Sequence, residues 1–233
     1  MASLFVFFTC QTIEPFEINE FIIWNVGQGA FMTISENSIC HHIDLGGEHF
    51  PSRMMRTCKW KKNSLSYTHW DWDHVGFTKR VSGDITDVCL LVSPGGKSPK
   101  NRGRILNGIH RCKFKPRFTW LSPMDSKNSN DNSNVFIFSN FLIPGDSTAR
   151  AERKWIKRIK LNQIKILVLG HHGSRTSTSK SLLKQLPNLK MAVASARYAV
   201  YRHPHHTVIK RLIQKGIPTI RTEDWGNLHF SLR

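Results

Sequence analysis

Short apolar runs, separated by polar or glycine-rich turns, dominate the chain up to about residue 145. Each run has the length of a strand rather than of a helix. The predicted strands are Phe21–Val26, Ala30–Ile34, Ile39–Asp44, Leu65–Thr68, Val88–Val92, Val135–Phe138 and Phe141–Ile143. The interval Asp125–Asn134 is almost wholly polar and predicts an exposed loop. The early part of the chain is therefore expected to form mostly antiparallel sheet.

The remainder alternates between strand and helix patterns. Strands are predicted at Ile166–Leu169, Met191–Ser195 and Pro218–Arg221, and helices at Thr148–Lys160, Ser179–Leu186 and Thr207–Lys215. Gly216 fits the C-cap of the last helix. Since antiparallel pieces precede βαβ units without a linker, we predict one layered domain over residues 21–233. Residues 1–20 would be an N-terminal extension or a clipped leader.

The chain is strongly basic, because it contains 34 Lys and Arg residues but only 16 Asp and Glu residues, for a net charge of +18. Such a field attracts polyanions such as nucleic acid, although a basic surface that serves only solubility stays an alternative. The densest basic stretches are Lys97–Arg104, Arg111–Arg117 and Arg153–Lys160, with a smaller group at Arg56, Lys59, Lys61 and Lys62. The candidate phosphate-binding residues are Lys97, Lys100, Arg102, Arg104, Lys113, Lys115, Arg153, Lys154 and Lys157.

The cysteines and the hydropathy of the chain indicate in which cellular environment the protein is expected. Five cysteines are scattered without a CxxC pair, which we interpret as isolated thiols rather than a disulfide framework or a sulfur metal site. No stretch approaches the ~18 apolar residues of a membrane span. We expect a soluble protein, cytoplasmic or exported to the periplasm, and the pattern leaves its oligomeric state open.

The segment from Tyr67 to Gly76 carries the sharpest chemical signal. His69, Asp71, Asp73 and His74 follow a predicted strand within six residues. A turn at a strand end can aim several such side chains at one point. Neutral imidazole nitrogen and carboxylate oxygen suit Zn²⁺, Mn²⁺ or iron, so the segment predicts a metal site.

Partners for this segment follow later strands. Asp146 ends one apolar run, and His171 and His172 end another. A fourth candidate, His203, precedes the last predicted helix. Each of these is also compatible with an ordinary turn or surface histidine, so only their convergence would make a site.

Taken in order, these motifs resemble the metallo-β-lactamase domain of the ComEC family of competence DNA-uptake proteins. The motifs are Asn25-Val-Gly-Gln-Gly29, Asp44-x-Gly-Gly, His69-x-Asp-x-Asp-His74, Gly145-Asp146, His171-His-Gly-Ser174, His203-Pro204 and Arg221-Thr-Glu-Asp-x-Gly226. The resemblance spans about residues 21–230. It implies an αββα sandwich, two divalent metal ions, Zn or Mn, and a hydrolase activity. The membrane segments of the channel proteins are missing here, so we expect no transport by this chain alone.

The resemblance also implies roles for individual residues. His69 and Asp71 would face the first metal ion, and Asp73 and His74 the second. Asp146 would bridge the two ions, one histidine of the pair His171 and His172 would complete the second site, and His203 would close the first site or contact the phosphate. The residues expected to support these ligands are Asp44, Asn132 and Ser174.

The chain departs from the family pattern at several positions. Asp71 replaces the second histidine of the usual superfamily loop, and this harder ligand favours Mn²⁺ over Zn²⁺. No histidine lies between His110 and His171, so the superfamily's third-motif histidine is absent, with Asn132 at roughly its place. Ala30 and Arg202 stand where aspartate and glycine are usual.

These features predict a phosphodiesterase or nuclease that acts on DNA. A hydroxide generated between two metal ions would attack phosphorus in line, with Asp73 and His203 as catalytic residues. Two alternatives remain open. One is a hydrolase of a small ester, lactone or phosphocholine substrate, and the other is a non-catalytic DNA-binding module with a vestigial metal site.

Overall fold

Two six-stranded sheets form the centre of the molecule. The computed structural model describes residues 19–122 and 126–232. The strands are β1 (Glu20–Ile23), β2 (Phe31–Glu36), β3 (Ile39–Leu45), β4 (Lys62–Ser66), β5 (Val88–Val92), β6 (Thr119–Leu121), β7 (Val135–Phe138), β8 (Phe141–Ile143), β9 (Ile166–Val168), β10 (Met191–Ala194), β11 (Thr219–Arg221) and β12 (Leu228–Ser231). The strand order is β12-β1-β2-β3-β4-β5 in one sheet and β11-β10-β9-β8-β7-β6 in the other.

Short helices cover the sheets and connect their strands. They are α1 (Ser52–Cys58), α2 (Trp72–Val75), α3 (Thr78–Asp84), α4 (Ala149–Trp155), α5 (Lys180–Lys184), α6 (Tyr198–Tyr201), α7 (His206–Ile213) and α8 (Thr222–Trp225). Single 3₁₀ turns occur at Arg102–Leu106, Asn130–Asn132 and Gly170–Gly173. None of the helices in the described ranges is long and apolar enough to cross a membrane.

The two-residue period of the strands divides the core into layers. In β1, Phe21 and Ile23 lie in the cluster between the sheets, whereas Ile22 lies in the cluster that contains Met54 of α1. In β10, Val193 likewise lies between the sheets. The alternate residues of β10 pack in a third cluster with α4, α5 and α7. The chain thus has the four-layer αββα arrangement that the sequence predicts.

The topology brings the carboxyl ends of many strands to one edge. Strands β3, β4 and β5 are mutually parallel, and so are β8, β9, β10 and β11. In open sheets of this kind, ligand-binding loops gather outside these carboxyl ends. The segments that leave them include Tyr67–His69 after β4 and Gly145–Asp146 after β8, each of which carries a predicted ligand.

The predicted exposed loop is exposed at residues 127–129, but the part of it that leads into β7 is buried. Asp131, Asn132, Ser133 and Asn134 are all buried. Their polar groups find partners inside the fold, as in the 2.9 Å hydrogen bonds from Asn134 Nδ2 to the carbonyl oxygens of Tyr67 and Ser93. Polarity alone therefore misplaced this segment at the surface.

The interpretation of the cysteines as isolated thiols was wrong. Cys40 of β3 bonds to Cys58 of α1, and Cys89 of β5 bonds to Cys112 in the basic segment that follows. Their Cα–Cα distances of 5.9 and 5.0 Å lie in the ordinary range for a disulfide. The pairs lie 18 and 23 residues apart, and only the fold brings them together. Cys10 and residues 1–18 of the predicted extension lie outside the described residues.

Candidate metal centre

The loop after β4 is held by backbone contacts from two glycine-containing turns. The carbonyl oxygen of Asp73 accepts a 2.8 Å hydrogen bond from the Ala30 amide. A Cβ atom on Gly46 would lie 2.1 Å from the carbonyl carbon of Asp73, so only glycine permits this approach. Helix α2 then begins at Trp72. His69 and Asp71 therefore precede the helix, whereas Asp73 and His74 lie in its first turn.

The predicted ligands converge on Asp146. Its Oδ1 lies 3.1 Å from His74 Nε2, and its Oδ2 lies 3.9 Å from His69 Nε2 and 3.7 Å from His172 Nε2. Two groups of three ligand atoms result, one from His69, His74 and Asp146 and the other from Asp73, His74 and His172. A carboxylate at this central position can serve two neighbouring ions.

Asp44 orients two of these histidines through one chain of hydrogen bonds. Its Oδ2 accepts from His74 Nδ1 at 2.8 Å and from Thr68 Oγ1 at 2.8 Å. The same hydroxyl accepts from His69 Nδ1 at 3.0 Å. These partners assign the proton of each ring to Nδ1, so that the Nε2 lone pairs of His69 and His74 face the cluster.

The third oriented histidine lies in a turn with unusual backbone angles. His171 and His172 have φ values of +50° and +54°, in the left-handed region. Such conformations cost on the order of 1–3 kcal/mol each for non-glycine residues and concentrate at functional sites. His172 Nδ1 donates to the Ser195 carbonyl oxygen at 2.9 Å, and its Nε2 lies 3.1 Å from Asp73 Oδ2.

The two adjacent histidines are not equivalent. His172 is buried and belongs to the group with Asp73 and His74. The side chain of His171 retains 27% exposure and faces Asp146 Oδ2 at 3.6 Å. The geometry therefore favours His172 over His171 as the partner of Asp73, a choice that the sequence left open.

Opposite charges determine the ionisation of the buried groups. Burial opposes ionisation of Asp146, yet the charges of His74 and His172 hold its pKa well below the usual value. Burial likewise favours neutral His74, but the carboxylates of Asp146 and Asp44 raise its pKa well above the usual value. Burial also opposes ionisation of Asp73, but the hydrogen bond from His172 and the charges of His74 and His172 together lower its pKa. Metal binding would replace protons held at these sites.

An unsatisfied nitrogen indicates that this cluster suits a cation. Within residues 19–122 and 126–232, His69 Nε2 is buried without a hydrogen-bond partner. It lies 3.4 Å from Asp71 Oδ2 outside hydrogen-bond geometry. A buried polar atom of this kind costs about 1–3 kcal/mol when it is left unpaired. The donor set of imidazole nitrogens and carboxylate oxygens fits Zn²⁺ or Mn²⁺.

The remaining predicted residues lie around the cluster at different distances. His203 is half-buried near His171, at 6.3 Å between ring centroids, and its Nδ1 lies 3.4 Å from Gln28 Nε2. Burial lowers the pKa of His203. Ser174 bonds to Thr176, whose hydroxyl lies 3.4 Å from His171 Nδ1.

Asn132 was predicted to support the ligands, and the structure shows its side chain bonded outside the cluster. Its side-chain amide makes two 2.8 Å hydrogen bonds to the backbone of Ser126. Asn130 approaches instead, with Nδ2 at 3.4 Å from the His171 ring nitrogens. Successive side chains of a 3₁₀ turn point about 120° apart, which explains why a position two residues earlier faces the site.

The predicted phosphate-binding residues divide into two kinds. Most of them are exposed, namely Lys97, Lys100, Arg104, Lys113, Lys115, Arg153, Lys154 and Lys157. Arg102 differs, because its guanidinium donates to the Trp70 carbonyl oxygen at 2.6 Å and lies 3.4 Å from Asp71 Oδ1. The basic segment Lys97–Arg104 is thereby attached to the loop that carries the ligands.

Thr68, Ser195 and Gln28 support the centre but were not predicted from the sequence. Thr68 forms a hydrogen bond with His69, Ser195 with His172, and Gln28 with His203. Thr68 adjoins His69, and Gln28 lies within the Gly27-Gln-Gly29 turn. Because Thr68 and Gln28 lie beside or within motifs of the site, the sequence offered a signal for both. Ser195 contributes only its backbone carbonyl, which any residue type could supply, so the sequence offered no signal for it.

Comparison with known proteins relates the chain to competence proteins. Competence protein ComA of Neisseria gonorrhoeae is 31% identical over 185 residues, covering 73% of this chain and 25% of that protein. Recombination protein 2 of Haemophilus influenzae is 29% identical over 64% of this chain, and ComE operon protein 3 of Bacillus subtilis 26% over 72%. The chain spans about a quarter or less of these relatives. No family model matches it.

Solved structures show the same fold. The metallo-β-lactamase fold protein YhfI from Bacillus subtilis superposes with a TM-score of 0.55 at 10% identity, over 91% of this chain and 100% of that one. A diphosphatase from the PhnP family gives a TM-score of 0.54 at 15% identity, over 88% and 84% of the two chains. Together, the sequence and structure matches show that the chain has a metallo-β-lactamase fold and is homologous to a part of the ComEC-family competence proteins.

Proposed function

We propose that the chain is a metal-dependent phosphodiesterase that cleaves DNA. The observation that carries this proposal is the convergence of His69, Asp73, His74, Asp146 and His172 on one pocket beside a basic segment. The kinship with competence proteins supports DNA as the substrate.

Two divalent ions fit the arrangement, with His69, Asp71 and Asp146 toward one ion and Asp73, His74 and His172 toward the other. Bound ions would supply Lewis acidity and a nucleophile from water near neutral pH. His171 faces Asp146 from 3.6 Å. We assign it to the first ion, where it would occupy the place of the absent third-motif histidine.

The protein's own groups orient the reaction. Asp44 and Ser195 fix the ring protons of His74 and His172 at Nδ1, so that both rings present Nε2. The Gln28 side-chain amide lies 3.4 Å from His203 Nδ1 and orients the ring. His203 is the proposed general acid: in its imidazolium form it would give the Nε2 proton to the leaving oxygen and return to the neutral ring.

The basic residues give affinity without sequence choice. Exposed side chains such as Lys97, Lys100 and Arg104 can neutralise backbone phosphates. A small uncharged ester would gain nothing from them. We therefore expect that substrate affinity falls steeply as the salt concentration rises.

The test is cleavage of labelled DNA by the purified chain loaded with Mn²⁺ or Zn²⁺. Asp73→Asn removes a ligand charge and should reduce the rate by at least about a hundredfold. Asp84→Asn is the matched control, since Asp84 ends α3 with its side chain 52% exposed and, among the residues that the structure describes, forms an ion pair only with Arg80. Equal cleavage by wild type and Asp73→Asn would refute the proposal.

A further inference from the structure

Two tryptophans flank Asp71 in the ligand loop, and they differ in exposure. Trp70 is 8% exposed, and its Nε1 donates to the Gly96 carbonyl oxygen at 3.2 Å. Trp72 is 56% exposed, although it lies directly between Asp71 and Asp73. Packing accounts for Trp70 but leaves most of the Trp72 indole facing solvent at the rim of the centre.

A cation is fixed over this exposed ring. The Arg102 guanidinium carbon lies 5.1 Å from the centroid of the Trp72 ring. Arg102 cannot move freely, because it is held by the Trp70 carbonyl oxygen at 2.6 Å and by Asp71 at 3.4 Å. A flat aromatic surface and a positive charge are thus held together beside the ligands.

This combination has the chemistry of single-stranded nucleic-acid recognition. An aromatic face stacks on an unpaired base, and a neighbouring arginine adds cation–π attraction and phosphate affinity. A base inside a duplex offers no free face. The net charge of +18 supplies the complementary sign for a polyanion.

We propose that Trp72, backed by Arg102, is a stacking platform for an unpaired base of a single-stranded DNA substrate next to the metal centre. The inference deepens the proposed function, because it names the form of DNA that the centre receives. Binding is measured apart from cleavage, so each proposal can fail alone.

The chain contains a matched control for the aromatic ring. Trp60 is 88% exposed, and Lys59 Nζ lies 5.1 Å from the centroid of its ring. It precedes β4, whereas Trp72 follows that strand. Trp60 therefore reproduces an exposed indole with a cation over it at the opposite end of the strand, away from the ligands.

The experiment measures equilibrium binding of a fluorescent single-stranded oligonucleotide to the full chain in EDTA, so that no cleavage occurs. Trp72→Ala should weaken binding by about tenfold, whereas Trp72→Phe should retain most of it. Trp60→Ala should bind like wild type. Thermal melting of each variant checks that the fold is intact.

An abasic oligonucleotide of the same length separates stacking from charge. It keeps the phosphates but lacks bases, so Trp72→Ala should bind it as tightly as wild type does. Duplex DNA should show the same insensitivity. The inference would be overturned if Trp72→Ala lost as much affinity for the abasic strand as for the normal strand, or if it bound the normal strand as tightly as wild type does.

Discussion

Asp44→Asn tests how the protein orients its ligands without changing a ligand. Asp44 has a φ of +56°, which asparagine tolerates well. The amide oxygen can still accept the 2.7 Å hydrogen bond from the Thr68 backbone amide. The amide NH₂ group then takes the place of Oδ2 and offers a donor where His74 Nδ1 needs an acceptor.

The consequence for His74 follows from proton placement. With a donor 2.8 Å from Nδ1, the neutral ring places its proton on Nε2, which then cannot bind a metal. Substitutions of residues that orient metal ligands typically cost 10- to 100-fold in metal affinity. This corresponds to about 1.4–2.7 kcal/mol. The ion assigned to His74 should be affected most, and the first ion should also bind more weakly, because the Thr68 hydroxyl that orients His69 bonds to the same Asp44 oxygen.

The assay is a competition titration of Mn²⁺ or Zn²⁺ against a chromophoric chelator, with the metal-free protein. Asp84→Asn serves again as the control for loss of one carboxylate, and circular dichroism verifies the fold. ¹⁵N NMR of the imidazole rings, recorded at a pH where His74 is neutral, should show its proton on Nε2 in Asp44→Asn and on Nδ1 in the wild type. Wild-type affinity in Asp44→Asn would refute the role assigned to Asp44.

Three further predictions concern stability. Burial lowers the pKa of His41 and His42 from 6.5 to about 4. The free energy of unfolding should therefore be fully retained above pH 6.5 and fall toward pH 4, by up to about 3 kcal/mol per histidine. A free energy of unfolding that does not change with pH in urea titrations would contradict this. Gly46→Ala should impair both folding and metal binding, because its Cβ would meet the ligand-loop backbone at 2.1 Å; a soluble variant with wild-type melting temperature and metal affinity would count against the packing. Reduction of the Cys40–Cys58 bond, whose residues lie 18 apart, should lower unfolding free energy by about 3 kcal/mol in denaturant titrations; no change would show that the bond contributes nothing.

Much of the candidate centre was predictable because its candidate ligands follow apolar runs. The positions of His69, Asp146 and His172 relative to β4, β8 and β9 depend only on local patterns and on parallel topology. The distinction between His171 and His172 was not predictable, since it depends on left-handed backbone angles that place the His172 ring beside Asp73 and leave the His171 ring partly exposed beside Asp146.

Contacts between residues far apart in the chain could not be predicted from the hydrophobic pattern either. Cys40 and Cys58 meet only after α1 packs on β3, and residue spacing does not encode that contact. The buried polar residues before β7 were misplaced for a related reason. Asn134 is stabilised by carbonyl groups from two other segments, and hydropathy cannot anticipate such partners.

The central claim is that side chains distant in sequence bind a pair of cations through Asp146. Anomalous diffraction from a crystal of the chain grown with Mn²⁺ tests it directly. We expect two peaks, each about 2.0–2.2 Å from an oxygen of Asp146, one toward His69 and the other toward His172. Peaks elsewhere, or none at this cluster under saturating Mn²⁺, would contradict the account.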